Sequence, residues 1–120
     1  MAAMTQTVSR ARDKQIRALG LTAAFAGLAV PRGHAIAEIY FRNRTANAVT
    51  GGLKIGTTAG GVDIVADQAI GANGIGHVAD AAVLKRFFST TDRQVLFIDA
   101  VSAWNSATVD LYIVLDKLQP

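Results

Sequence analysis

The chain has 120 residues, 51% of them hydrophobic, 18% charged and 7% aromatic, with two histidines and no cysteine. That length suits one compact core, the apolar content excludes a disordered chain, and the lack of cysteine excludes disulfides, thiolate nucleophiles and zinc–sulfur sites. The net charge of +3 sits in residues 1–17, where Arg10, Arg12, Lys14 and Arg17 face only Asp13, while the rest of the chain is balanced; a neutral body without a basic face argues against nucleic-acid recognition.

Residues 1–33 read as an N-terminal arm, basic and then apolar. Ala18 to Val30 carries no charge. A basic stretch before a short apolar run is also the grammar of a secretory signal, with Ala24-Phe25-Ala26 and Ala35-Ile36-Ala37 as small-residue cleavage sites. The long basic region with its Asp13 speaks against that, and the run is too short to span a bilayer, so no membrane partner is expected. Ile16, Leu19 and Ala23 fall at helical spacing, as do Leu21, Phe25 and Leu28. Ser9 suits an N-cap, Gly20 and Gly27 weaken the helix, and Pro31 with Gly33 ends it. The expectation is a partly helical arm whose apolar side packs on its own body or on a neighbouring subunit. Arg10, Arg12, Lys14, Arg17, Leu21, Phe25 and Leu28 are its candidate partner contacts.

After Gly33 the pattern becomes strand-like, and residues 34–120 read as one β-sandwich domain. His34 to Asn43 alternates, with Ala35, Ala37, Ile39 and Phe41 on one side and Ile36, Glu38, Tyr40 and Arg42 on the other. Leu53 to Thr57 and Val62 to Ala66 form a hairpin across Thr58-Ala59-Gly60-Gly61. Ile75 to Val78 is a weaker strand. Asp80 to Phe88 suits either a short capped helix or a strand. Gln94 to Ala100 is a strand, Val101 to Ser106 a loop, and Thr108 to Leu115 alternates with Val109, Leu111, Ile113 and Leu115 on its apolar face. Strands at about ten-residue intervals, with no helices between them, predict an antiparallel, jelly-roll-like β-sandwich.

No catalytic constellation stands out. The glycines from Gly51 to Gly61 lack the lysine that a phosphate loop places after its last glycine, and Gly71, Gly74 and Gly76 lack a following helix. His34 and His77 are isolated, and a metal site would have to borrow Asp63, Asp67 or Asp80. Ser89-Thr90-Thr91-Asp92 has hydroxyls near a carboxylate but no positioned base, which is ordinary turn chemistry. Asn43-Arg44-Thr45 matches a glycosylation acceptor, but only in a eukaryotic secretory setting, which nothing else in the sequence supports. Trp104 with Asn105 is the candidate surface contact: an exposed loop tryptophan stacks on a sugar or anchors a partner, whereas a buried one caps the core. No enzyme activity, cofactor or metal is expected.

The run Ile39-Tyr40-Phe41-Arg42-Asn43-Arg44-Thr45-Ala46-Asn47-Ala48-Val49-Thr50-Gly51-Gly52-Leu53-Lys54-Ile55-Gly56-Thr57-Thr58 resembles small structural proteins of tailed bacteriophages and prophages. The segments Lys85-Arg86-Phe87-Phe88-Ser89-Thr90-Thr91 and Ala103-Trp104-Asn105-Ser106-Ala107 resemble them too. The resemblance implies a virion protein assembled in the bacterial cytoplasm, a head decoration or cement protein or a head-fibre base. It would be homo-oligomeric, a trimer above all, and would dock on the major capsid protein or another virion protein. A neck or tail location and a carbohydrate- or host-surface-binding module are the alternatives. No catalytic residues come with the resemblance.

Overall fold

The computed structural model describes residues 14–80, 83–85 and 87–117. Eight strands follow in chain order: β1 Lys14–Leu21, β2 Phe25–Pro31, β3 His34–Asn43, β4 Val49–Gly56, β5 Val65–Ile70, β6 Ile75–Val78, β7 Arg93–Ala100 and β8 Val109–Lys117. They form two four-stranded sheets, in the orders β1-β8-β3-β6 and β2-β7-β4-β5, and every pairing is antiparallel. The all-β sandwich is therefore as expected.

The core lies between the sheets and draws on both. Val109, Leu111, Ile113 and Leu115 of β8 are almost fully buried, and Ile36, Ile39 and Phe41 of β3 join them from the neighbouring strand. Leu28, Val30, Leu53, Ile55, Leu96 and Ile98 face them from the second sheet. Each such side chain stabilises the fold by about 2 kcal/mol through removal of apolar surface from water.

Among the described residues the helix expected over the N-terminal arm is absent: Lys14–Leu21 and Phe25–Pro31 are strands β1 and β2, one in each sheet. The helical spacing was produced by irregularities in strands. Ala18 and Leu21 both face the core three positions apart because β1 shifts register between them, at Gly20, whose φ is +71°. β2 shifts register between Phe25 and Leu28. A β-bulge inserts one residue into an alternating pattern and turns a spacing of two into three, which sequence spacing alone reads as i, i+3. The proposed Ser9 cap lies outside the described residues.

Two smaller expectations also change. In β3 a register shift between Ile36 and Glu38 puts Ile36 on the core side with Ile39 and Phe41, so strict alternation fails at Ala37. The strand expected at Val62 to Ala66 begins instead at Val65. Before it, Asp63 accepts hydrogen bonds from the N–H (2.8 Å) and hydroxyl (2.6 Å) of Thr57, which holds 57–63 as a loop. Between β6 and β7, the N–H groups of Val83 and Leu84 donate to the Asp80 carbonyl. Leu84 bridges to Val65 and Phe88 to Ala35 as isolated ladder contacts. That connection is a turn followed by single bridges.

Candidate functional site

The antiparallel order gathers the connections at two ends of the sandwich. One end holds the β1–β2, β3–β4, β5–β6 and β7–β8 loops, residues 22–24, 44–48, 71–74 and 101–108. The opposite end holds the β2–β3 turn, the β4–β5 loop and the described residues of the β6–β7 connection. Lys14 lies at that opposite end, since it pairs with Leu115, and so does Lys117, which pairs with His34. Residues 1–13 thus join the sandwich at the end remote from the four-loop cluster.

At the four-loop end a buried carboxylate organises the surface. Asp110 is opposite Arg42 in the β3–β8 ladder, and its side chain is 3% exposed. Arg44, just past β3, forks it: Nε lies 3.0 and 3.2 Å from the two carboxylate oxygens and Nη2 lies 2.7 Å from Oδ1. The Gly20 N–H, raised by the β1 bulge, donates to the same Oδ1 at 2.8 Å. Arg42 Nη2 is 3.4 Å from Oδ2. Burial works against ionising Asp110. The bonds from Arg44 and Gly20, together with the charges of Arg44 and Arg42, outweigh that and hold its carboxyl below the ordinary carboxylate range. The same pairing raises the Arg44 guanidinium above its ordinary value.

The loops around this cluster are locked by their own hydrogen bonds. The buried Asn43 amide donates to the carbonyls of Asn47 and Gly71, and its oxygen accepts from the N–H and hydroxyl of Thr45. Backbone N–H groups of Asn43, Arg44 and Asn73 donate to the carbonyls of Gly74, Thr108 and Thr45. A shallow groove lies over this scaffold, lined by Arg42, Asn43, Arg44, Asn73 and Ile75. With its amide spent inside the protein, Asn43 cannot serve as the glycosylation acceptor that its Asn-Arg-Thr context suggested.

Trp104 belongs to the same end but turns inward. It is half-buried against the core, and its indole N–H donates to Asp99 at 2.9 Å. Asn105, at φ +58°, donates to the Thr50 hydroxyl at 2.8 Å and the Ala48 carbonyl at 3.3 Å. The pair therefore caps the sandwich and fixes the β7–β8 loop.

Of the candidate partner contacts, Arg10 and Arg12 lie outside the described residues. Lys14 and Arg17 are exposed on β1. Leu21 and Leu28 are 5% and 8% exposed and packed in the core, which withdraws them from any docking surface. Phe25 remains 37% exposed. On the outer face of the β1-β8-β3-β6 sheet, Tyr40 stacks on His77 with ring centroids 4.4 Å apart, and His77 Nε2 meets Glu38. His34 is buried, with Nδ1 3.1 Å from the Arg32 carbonyl oxygen, and the Ser89 hydroxyl donates to the Thr91 carbonyl. Among the described residues no group of three His, Cys, Asp or Glu side chains is placed to hold a metal ion.

The Arg42–Arg44–Asp110 cluster is the feature that sequence reasoning missed. Asp110 falls on the polar side of an alternating strand and resembles any solvated residue there. Its partners are 66 and 90 residues away, so only the β1–β8–β3 pairing joins them. Arg42 and Arg44 at the end of one strand were the available signal. No family model, curated protein or solved structure matches the chain.

Proposed function

We propose that this chain is a non-enzymatic structural protein of a tailed-phage virion, a head decoration or cement protein or a head-fibre base, docking on the capsid through its N-terminal segment. The observation that carries the reading is the strand order, β1-β8-β3-β6 over β2-β7-β4-β5, which is that of the eight-stranded jelly roll used by viral capsid proteins. One further feature supports it. The basic residues Arg10, Arg12, Lys14 and Arg17 are close together in sequence, and Lys14, the first described residue, lies at the end of the sandwich remote from the four loops. They suit an acidic shell surface, adding steering and specificity more than raw affinity. A homotrimer is the assembly we propose, with the major capsid protein or another virion protein as partner.

The test is the protein's copy number in purified particles, measured by quantitative mass spectrometry against the major capsid protein. Scores to hundreds of copies support decoration or a fibre base. A dozen or fewer would move the protein to the neck or tail, and absence from the particle would overturn the reading. Attachment is tested with a chain lacking residues 2–13. That cut spares β1, whereas removing residues 1–17 would take Ile16 from its packing against the core. The shortened chain should stay folded and bind particles more weakly; unchanged attachment would overturn docking through this segment.

A further inference from the structure

The groove at the four-loop end has one cation more than its carboxylate requires. Arg44 with the Gly20 N–H already supplies Asp110 with four close donor contacts, whereas Arg42 stands back at 3.4 Å with its side chain 51% exposed. Among the described residues, Asp110 is the ion-pair partner given to both arginines, so the groove carries a net charge of +1. The walls are pre-formed: the turns at 43–45 and 71–74 are tied to each other and to β8 by the bonds described above. A guanidinium whose N–H groups are not taken up by Asp110, as in Arg42, is the group that reads a carboxylate, and groove walls already held in place lower the ordering cost of binding.

We propose that this groove binds the carboxylate of an acidic saccharide, with Arg42 as the contacting guanidinium and Arg44, clamped by Asp110, as its positioned neighbour. The rest of the lining favours a sugar over an acidic peptide. The Asn73 amide offers both a donor and an acceptor, as ring hydroxyls require. Ile75, 79% exposed at the start of β6, gives a small flat apolar patch for one face of a pyranose ring. A peptide anchor would instead need a pocket for a large apolar side chain, and the lining has none. The inference is independent of the virion reading, because it concerns the isolated chain.

The experiment is an NMR titration of the full-length protein at low salt with methyl β-glucuronide. Methyl β-glucoside, sodium acetate and an acetylated triglutamate peptide serve as comparison probes. The glucuronide should shift the backbone signals of Arg42, Arg44, Asn73 and Ile75 in a saturable way. The glucoside, which lacks the carboxylate, and acetate, which lacks the ring, should each bind at least about tenfold more weakly. Arg42→Gln should weaken glucuronide binding by a similar factor while leaving the thermal midpoint unchanged, because Arg44 still neutralises Asp110. Equal binding of glucoside or acetate, tighter binding of the peptide, retained affinity in a folded Arg42→Gln, or no shift at these four residues would each overturn the proposal.

Discussion

Asp110 and Asp63 are both held below the ordinary carboxylate range, for different reasons. Asp63 is exposed and is held there by the Thr57 hydroxyl and N–H; Asp110 is buried and is held there by guanidinium and amide donors. A carboxylate with a depressed folded pKa contributes stability that is fully present above the unfolded value and lost as pH falls through the folded one. Urea melts should therefore show stability falling as the pH drops below about 4. Asp110→Asn should cost roughly 1–3 kcal/mol at pH 7, because it weakens the charge-assisted bonds that the buried carboxylate accepts from the Gly20 N–H and from half-exposed arginines, and should flatten the acid limb; an acid limb as steep as the parent's would contradict the assignment. Gly52 tests backbone conformation at this scale. Its φ is +85°, and a Cβ there would lie 2.6 Å from the Gln68 carbonyl oxygen. Gly52→Ala should destabilise by roughly 2–4 kcal/mol, from left-handed strain and overpacking together, and thermal melts will read it directly.

Single elements were legible where alternation was unbroken, and misread where a bulge broke it. In β8 the run Val109, Leu111, Ile113 and Leu115 faces inward without interruption, and the sequence pattern alone places it correctly. β1 and β2 use the same periodicity with register shifts, so their core residues mimic a helix. Gly20 and Gly27 weaken a helix in the sequence pattern, whereas in β1 the glycine, at positive φ, sits at the bulge. The Asp110 cluster was illegible because β1, β3 and β8 meet only through long-range pairing. These element assignments predict the behaviour of two truncations. Removing residues 2–13 should leave the melting transition in place. Removing residues 2–17 deletes four ladder pairs with β8 and the Ile16 packing, and should cost at least about 2 kcal/mol. Equal stabilities for the two would mean that β1 does not contribute as described.

At the scale of the whole molecule the sandwich is polar in arrangement. The entry to β1 and the exit from β8 share one end, while four loops, the Arg42–Arg44–Asp110 cluster and the Trp104 cap share the other. If the basic N-terminal segment docks the protein on a shell, the chain's own geometry turns the remote loops away from it. This orientation is testable because the chain has no cysteine of its own, so a single introduced thiol reports on one place. Ala46, in the β3–β4 loop, and Ala59, in the β4–β5 loop, are both exposed and lie at opposite ends. In free protein, Ala46→Cys and Ala59→Cys should react with a bulky maleimide at comparable rates. On assembled particles Ala46→Cys should keep its free-protein rate while Ala59→Cys is slowed by the surface beneath it. The reverse pattern would place the four-loop end against the shell, and equal rates at both positions would mean that neither end is covered. Either result would separate the docking role of the N-terminal segment from the saccharide groove, whose titration is done without particles.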